Sequence, residues 1–579
     1  MTLLRPFSHE VGILRSPGRL AADAIVLMAV VVSFYVIISL SHGILSPFTA
    51  QTAPTTVSTN PWDLPYYAAR SLLRMFVALA VSVVFSLVYA TAAARSRRAG
   101  AVLIPILDIL QSVPVLGFLS VTLTVWLTLF PNNMLGLECA SIFAIFTSQA
   151  WNMTFAFYQS LVTQPRDLDE AARLLRLTKW QRFWNLDVPG GMIPLVWNGM
   201  MSFGGGWFFL VASEVISVNN KTYALPGIGS YVATAADDGD IGKIVLASVV
   251  MVIMVIAVNF FFWRPLTAWA ERFRNEDSEG GAGPRSIVFD ILRRSRLPHL
   301  AGLALRPISR LLDAATRPFG IADVRMGANL ARRRAGDIVF WSVVGAVVLW
   351  GAVEMLSWTG SAVGLAEWGH AFLLGLATFA RVVVLLVFAT AIWVPIGVWI
   401  GMNPRVSRLA QPIVQIFASF PANFLFPIVT AALVATGVSL NWGGILLMAL
   451  GAQWYILFNV IAGASAIPND LREASANLRL SRRLRWRTLI LPAIFSAYVT
   501  GGITAAGGAW NASIVAEVVS YHGTTLTATG LGAYITEATM HGDAARTLIG
   551  VAIMSLFVVG INRLFWRRLY RLAETRFSY

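Results

Sequence analysis

Two glutamates lie in matching apolar segments, where a carboxylate is costly and therefore informative. Glu214 follows GGGWFFLVAS, Glu517 follows GGAWNASIVA, and a G-[IL]-G turn comes after each of them. Ionisable residues within membrane-spanning sequence are functional candidates, because placing a charge in hydrocarbon is unfavourable. Each carboxylate could line a vestibule or gate, or it could accept backbone N–H bonds from its own glycine turn. We favour the second interpretation.

Three further charged residues are candidates for a solute path. Arg74 and Arg381 occupy equivalent positions, about one turn inside the ends of two apolar helices. They could attract an oxyanion as a pseudo-symmetric pair, or extend their charged ends to the membrane surface as anchors. Asp108 has Gln415 as its counterpart, which makes the pattern asymmetric at this point. Asp108 is therefore a candidate for contact with an asymmetric solute path.

Aromatic and histidine residues offer weaker signals. Trp207 and Trp510 each follow small residues, an arrangement that suits close helix packing or a pore constriction, and we favour packing. His522 and His541 fall in one predicted external loop, but scattered surface histidines explain them better than a metal site does. We expect neither a metal site nor a catalytic residue in the chain.

A charged segment occurs twice in this apolar sequence. It reads DLDEAARLLRLTKWQRFWNLDVP at 167–189 and DLREASANLRLSRRLRWRTLILP at 470–492. In each copy an acid near the start, small residues and a Leu/Arg periodicity predict a short helix, and a proline ends the segment. An ordinary basic loop could explain one copy. Two copies in matched positions indicate contact with a partner.

The elements that must position these residues are membrane helices. The chain of 579 residues is 57% hydrophobic and 13% charged, and apolar runs of about 20 residues recur throughout. The sequence predicts an all-α polytopic membrane protein of about twelve spans, and the first is a retained helix rather than a cleaved signal. The expected spans are 22–40, 72–93, 102–130, 137–162, 192–214, 244–263, 338–356, 375–401, 409–435, 443–463, 494–516 and 544–562.

An internal repeat organises these spans into two pseudo-symmetric halves. Matching residues recur at a constant offset of 303, as in Pro189/Pro492 and Glu214/Glu517. Upstream of the loop around PNNMLGLE the offset is 307, as in Arg74/Arg381. The repeat predicts a first half at 1–271 with its insert at 166–189, a linker at 272–336, and a second half at 337–579 with its insert at 469–492. Because each half has six expected spans, the two copies are parallel in the membrane.

The distribution of basic residues predicts the orientation. Of the 44 Lys and Arg residues, 38 fall on the side that carries both inserts, the linker and both termini. By the positive-inside rule this side is cytoplasmic. The net charge of +15 therefore reflects membrane topology, and we expect no nucleic-acid partner.

The two inserts resemble the EAA loop of type I ABC importer membrane subunits, the binding-protein-dependent transport permeases. The resemblance covers about 70–272 and 377–575, and it implies the six-helix permease fold in each half. In that family the loop forms the coupling helix that docks on the ATP-hydrolysing subunit. The resemblance assigns this contact to Glu170, Ala171, Ala172, Glu473, Ala474 and Ser475.

The inserts depart from the family at one position. Where the family usually has a glycine, this chain has Arg176 and Arg479. Since that glycine permits a turn between two short helices, its loss predicts a more continuous helix or a matching acidic feature on the ATPase. We include both arginines among the ATPase-coupling residues.

The segments after the inserts resemble the nitrate/taurine/sulfonate branch of the family. There a tryptophan, a small-residue–Glu pair and a G-[IL]-G turn recur, as in this chain. The resemblance implies a fused importer subunit of the bacterial inner membrane for a small anion such as nitrate, sulfonate, taurine or bicarbonate.

The sequence lacks a G-x-x-x-x-G-K-[ST] nucleotide motif. We therefore expect two copies of a separate ATPase to bind ATP and Mg, and a periplasmic binding protein is a possible further partner. The alternatives are a fused ferric-iron or thiamine permease and a twelve-helix secondary carrier. The Trp…Glu…G-[IL]-G pattern argues against the first, and the duplicated EAA loop argues against the second.

Overall fold

The computed structural model describes residues 17–41, 44, 46–47, 55–112, 115–131, 133–218, 221–273, 286–316 and 330–576. Within these ranges the protein is almost entirely helical, as the sequence predicts. The only strands in the described part form two short antiparallel hairpins, one in each half. Arg5 and Arg15, two of the basic residues that support the predicted orientation, lie outside the described residues.

The first half begins with an apolar helix and continues with the elements of one repeat. Asn60 accepts a hydrogen bond from the Trp62 N–H ahead of the second helix, and this cap satisfies one of the free donors at a helix start. The elements are α1 (Pro17–Ser41), α2 (Leu64–Arg95), α3 (Arg97–Ser112), α4 (Val115–Leu129), α5 (Met134–Val162), α6 (Arg166–Leu174), α7 (Lys179–Arg182), α8 (Val188–Gly190), α9 (Met192–Glu214), β1 (Val215–Val218), β2 (Lys221–Ala224), α10 (Ile228–Asp237), α11 (Ile241–Val258) and α12 (Arg264–Ala270).

Two helices of the predicted linker follow. They are α13 (Ile287–Arg294) and α14 (Leu297–Thr316). Asp23 of α1 accepts hydrogen bonds from the Ser295 hydroxyl (2.8 Å) and from the Arg296 N–H (2.7 Å). The linker is therefore attached to the first membrane helix.

The second half repeats the order of the first. Its elements are α15 (Leu330–Ala362), α16 (Ala366–Gly401), α17 (Pro404–Ser419), α18 (Phe426–Thr436), α19 (Leu440–Ser465), α20 (Asn469–Asn477), α21 (Arg482–Arg485), α22 (Leu491–Ala516), β3 (Val518–Tyr521), β4 (Thr524–Thr527), α23 (Leu531–His541), α24 (Ala544–Ile561) and α25 (Arg567–Arg576). In both halves a five-residue π-helical segment precedes α8, α12, α22 and α25; the segments are Phe183–Asp187, Asn259–Trp263, Trp486–Ile490 and Asn562–Trp566.

The third predicted span of each half is two helices instead of one, which corrects the expected single spans at 102–130 and 409–435. In the second half α17 ends because Phe420 is extended (φ −72°, ψ 128°) ahead of Pro421. The residue before a proline avoids the helical region, so the helix stops there. A short 3₁₀ turn, Ala422–Phe424, then leads into α18.

Nine helices in the described part are long and apolar enough to cross a membrane, against the twelve expected spans. The two broken third spans account for two of the missing three. The remaining one is α5, which carries Gln149 and Asn152 within its apolar sequence. The all-α polytopic architecture is as predicted, and its helices are less uniform than their hydrophobic runs indicate.

The two halves pack through equivalent elements. The broken span of the first half (α3 and α4) contacts α24, while α17 of the second half contacts α9 and α11. Across this interface Asn423 donates a hydrogen bond to the Phe208 carbonyl (3.1 Å). We call the end of the bundle that carries residues 166–189 and 469–492 the insert end, and the end that carries the two β-hairpins the hairpin end.

Candidate functional site

A buried ion-pair cluster lies near the hairpin end of the first half. Arg74 on α2 contacts two carboxylates, with its Nη1 2.7 Å from Glu214 Oε1 and its Nε 2.6 Å from Glu138 Oε2. Arg70, one turn earlier, pairs with the same Glu138 carboxylate, and the Ser71 hydroxyl donates to Glu214 (2.5 Å). The side chains of both arginines and both glutamates are at most 3% exposed. Two positive and two negative charges therefore neutralise one another out of contact with solvent.

The second half contains a smaller version of this cluster. Arg381 Nη1 lies 2.8 Å from Glu517 Oε1, and the Thr378 hydroxyl donates to the same oxygen (2.7 Å). The remaining guanidinium donors reach Asn441, through its side-chain oxygen (2.7 Å) and its carbonyl (3.0 Å), and the Thr529 carbonyl (2.9 Å). All three guanidinium nitrogens of Arg381 therefore donate hydrogen bonds, mainly to neutral acceptors.

The difference between the two clusters is a matched loss of one positive and one negative charge. Asn441 stands where the first half has Glu138, and Ala377 stands where it has Arg70. A buried charge without a partner costs several kcal/mol, so losing both members together keeps each cluster neutral. Sequence reasoning missed Arg70 and Glu138. Two signals were available. Glu138 is an ionisable residue at the start of an apolar span, and Arg70 lies one helical turn before Arg74.

Each glutamate also holds the glycine turn that follows it. Glu214 Oε2 accepts the Gly229 N–H (2.6 Å), and Glu517 Oε2 accepts the Ala533 N–H (3.1 Å). A Cβ added to Gly227 would collide with the Glu214 carboxylate, so the carboxylate occupies the space of a side chain. Of the two roles that the sequence suggests for these glutamates, this is the one in which each carboxylate accepts backbone N–H bonds from its own glycine turn. It connects the end of α9 to the start of α10.

The two tryptophans are buried within their own halves. Trp207 is 1% exposed and contacts Phe203 edge-on, with ring centroids 5.5 Å apart. Trp510 is 2% exposed and stacks on Phe557, at a centroid distance of 5.7 Å. In the described structure these rings therefore contribute to helix packing.

The first insert is two short helices joined by a left-handed turn. Arg176 has φ 49°, and the Leu177 N–H donates to the Ala172 carbonyl (3.1 Å) while the Arg176 N–H donates to Arg173 (3.0 Å). These are the two bonds of a Schellman helix end, a position where glycine is usual. Thr178 then caps α7 through a reciprocal bond with Gln181.

The second insert has the same turn. Arg479 has φ 45°, and the Leu480 N–H donates to the Ser475 carbonyl (3.3 Å). The expectation of a more continuous helix is therefore wrong for both inserts. The chain keeps the geometry that a glycine would favour and holds an arginine in it, because the helix-end hydrogen bonds still form.

The assigned coupling residues share one pattern of exposure. Glu170, Ala171 and Arg176 are exposed, whereas Ala172 is buried beneath them. In the second insert Glu473, Ala474 and Arg479 are exposed and Ser475 is buried, with its hydroxyl donating to the Arg472 carbonyl (2.7 Å). One face of each insert thus packs on the bundle, and the acid, the first alanine and the arginine are accessible.

The inserts are attached to the bundle by different contacts. In the first, Asp187 pairs with Arg95 at the end of α2, while Asp169 and Arg182 pair within the insert. Burial raises the pKa of the Asp187 carboxyl, and the Arg95 guanidinium opposes that shift. In the second, Arg472 donates instead to backbone carbonyls, including that of Ala464 (2.7 Å).

A cavity of about 1090 Å³ lies between the halves at the insert end. Its lining includes Asp108 on α3 and Arg567 on α25, whose charged groups approach to 4.0 Å. Their side chains are 41% and 63% exposed. Asp108, the acid whose counterpart in the second half is Gln415, therefore lies at a cavity between the two halves. Among the described residues no group of three or more His, Cys, Asp or Glu is arranged to hold a metal.

Comparisons with known proteins agree with the repeat. The sequence model of the family described as binding-protein-dependent transport system inner membrane component matches residues 74–274 and 393–578, which is more than half of the chain. Each match contains one insert, one hairpin and the buried glutamate that precedes it, Glu214 or Glu517.

Individual relatives are more distant. The nitrate import permease protein NrtB of Synechocystis sp. is 28% identical over 199 residues, which is 34% of this chain and 67% of the relative. NrtB of Leptolyngbya laminosa is 23% identical over 244 residues, covering 39% and 82%. The bicarbonate transport system permease protein CmpB of Synechococcus elongatus is 29% identical over 144 residues, covering 25% and 50%.

Proposed function

The chain belongs to the family of binding-protein-dependent transport system inner membrane components, with two permease copies in one polypeptide, and we propose that it is the complete translocation unit of an ATP-driven importer. The observation that carries the proposal is the duplication itself. Type I ABC permeases work as pairs, and this chain supplies both members, each with its own exposed insert.

The proposed solute is a small inorganic anion. The relatives from the three genera named above are permeases for nitrate or bicarbonate. The buried carboxylates Glu214 and Glu517 are each paired with an arginine, so they present no uncompensated negative charge to such an anion. The ion-pair clusters then serve to position the hairpin end.

The proposed energy source is a separate ATPase bound at the two inserts. The accessible acid, alanine and arginine of each insert form the contact, and the buried Ala172 and Ser475 seat the inserts on the bundle. ATP and Mg are bound by the partner, because the sequence has no P-loop. A periplasmic binding protein would deliver the solute at the hairpin end.

The proposed orientation places the insert end in the cytoplasm of a bacterial cell and the hairpin end in the periplasm. This assignment is supported by the 38 of 44 basic residues on the insert side. The chain would then be a multi-pass protein of the inner membrane with both termini in the cytoplasm. It would have no catalytic activity of its own.

Transport by a reconstituted complex tests the proposal. The chain and its ATPase are placed in liposomes, with the candidate binding protein outside, and uptake of ¹⁵N-nitrate and of ¹⁴C-bicarbonate is followed with and without ATP. We expect ATP-dependent accumulation of at least one of the two anions. Accumulation that is independent of ATP and driven by an ion gradient would instead identify a secondary carrier.

A further inference from the structure

A polar stripe on α5 faces the cavity at the insert end. Asn152, Gln159, Ser160 and Thr163 line the cavity and recur at the spacing of one helix face. The side chains of Asn152 and Gln159 are exposed there. Asn198 on α9 lines the same cavity, and its amide nitrogen donates to the Pro194 carbonyl (3.0 Å). Hydrogen-bonding side chains of the first half therefore border this space.

The equivalent stripe of the second half loses its polar side chains toward the insert end, although Asn152 has Tyr455 as its counterpart. At the offset of 303, the counterparts of Gln159, Ser160 and Thr163 are Ala462, Gly463 and Ala466. Gly463 packs closely against α22, since a Cβ there would lie 2.7 Å from the Ala497 Cβ. The cavity is thus built asymmetrically, although the two halves share one order of elements.

The charged residues of the cavity carry a net positive charge. Asp108, Arg272 and Arg567 are its ionisable lining residues besides Tyr570. The Arg272 guanidinium lies over the Phe289 ring (4.8 Å to the centroid), whereas Arg567 is 63% exposed beside Asp108. Amide N–H donors together with one excess positive charge are the groups that favour a small, singly charged oxyanion.

We propose that this cavity holds an anion subsite whose hydrogen-bonding helix face is supplied by α5 of the first half, with Gln159 and Asn152 as hydrogen-bonding residues and Arg567 of the second half as its charge. The proposal rests on the proposed function for its solute class. It predicts that equivalent substitutions in the two halves have unequal effects on solute affinity, which a symmetric path would not show.

Thiol chemistry tests the subsite without requiring knowledge of the solute. In a Cys139→Ser background, the full chain with Gln159→Cys is reacted with methanethiosulfonates that carry either a sulfonate or a trimethylammonium group. We expect the anionic reagent to react faster. Arg567→Gln should lower the ratio of the two rates and Asp108→Asn should raise it, each by roughly fourfold, because one charge across about 10 Å of water changes the two rates about twofold in opposite directions.

Two controls keep this test decisive. Ala462→Cys, at the equivalent position of the second half, should show a rate ratio that neither charge substitution changes. If Gln159→Cys does not fold, Thr163→Cys probes the same cavity. A faster reaction of the cationic reagent, or a ratio unaffected by Arg567→Gln and Asp108→Asn, would overturn the subsite.

Uptake of nitrate by the reconstituted complex gives the second readout. Gln159→Ala and Asn152→Ala should raise the KM for nitrate severalfold. Asn459→Ala on α19, whose amide donates to the Tyr455 carbonyl (2.8 Å), should leave it unchanged. Equal effects of all three would contradict an asymmetric subsite. If only bicarbonate is taken up, its KM is measured instead. If the wild type takes up neither anion, the solute assignment fails, while the thiol rates still decide whether an anion subsite exists.

Discussion

Arg74 and Glu214 are 140 residues apart in the sequence, and their side chains meet at 2.7 Å in the interior of the first half. Arg381 and Glu517 repeat this relationship in the second half at 2.8 Å. In each case the carboxylate also accepts a backbone N–H from the glycine turn that opens the next helix. The pairs therefore connect α2 and α16 to the hairpin end of their own halves.

Removing one member of a buried pair should be strongly destabilising. Glu214→Gln leaves Arg74 with a buried charge that only Glu138 can partly neutralise, so we expect a loss of about 3–5 kcal/mol in stability. Thermal unfolding of the purified chain in detergent measures it. The exposed pair Arg98–Asp337 provides the control, since Asp337→Asn should cost about 0–1 kcal/mol. Equal losses for the two variants would contradict the structural role of the cluster.

The glycine turns should not tolerate a methyl group. Gly227→Ala and Gly530→Ala each place a Cβ against the carboxylate of their own half, so the carboxylate must move and its hydrogen bonds weaken. Overpacking of this kind costs about 1–3 kcal/mol. Gly507→Ala is the matched control, because no atom lies within 4 Å of its added Cβ. Unfolding temperatures compare the three, and an unchanged value for Gly227→Ala would refute the close approach.

The insert turns should become more stable with glycine but function less well. Arg176→Gly relieves a left-handed conformation that costs about 1–2 kcal/mol in other residues. Hydrogen exchange of the Leu177 amide, bonded to Ala172, should therefore slow. ATPase association should nevertheless weaken if Arg176 and Arg479 pair with carboxylates on the partner, a loss of about 2–5 kcal/mol for partly desolvated pairs. Wild-type transport and coupling ratio in the double glycine variant would show that the arginines have no role in coupling.

Reversing the insert acids should release the ATPase. Glu170 and Glu473 are exposed on the two inserts, so Glu170→Lys with Glu473→Lys changes the docking surface without disturbing the core. We expect the membrane chain to stay folded and to lose the co-purified ATPase. Glu537→Lys, exposed on α23 near the hairpin end, is the control and should retain it. Undiminished co-purification of the double variant would exclude the inserts as the docking site.

The repeat, the inserts and the helical class could be read from the sequence because they depend on patterns within short segments. The pairing of Arg74 with Glu214 could not, since it joins residues from helices that come together only in the folded bundle. The role of Glu138 was hidden for the same reason, although its replacement by Asn441 together with the loss of Arg70 is visible once the contact is known.

Local backbone conformation was the second feature that could not be predicted from the sequence. An arginine in place of glycine predicts a helix, yet Arg176 and Arg479 take positive φ because the helix-end hydrogen bonds and the cap of the next helix fix the turn. The third spans read as single apolar runs, and in the second half the break follows from the restriction that Pro421 places on Phe420. Hydropathy alone does not register either effect.

The composition of the intact complex tests the central claim most directly, that one chain carries both halves of an ATP-driven permease. Native mass spectrometry of the complex, purified from cells that also express its ATPase, gives the number of each subunit. We predict one copy of this 579-residue chain with two copies of the ATPase, one for each insert. A complex of two chains with two ATPases, or of one chain with one, would contradict the account.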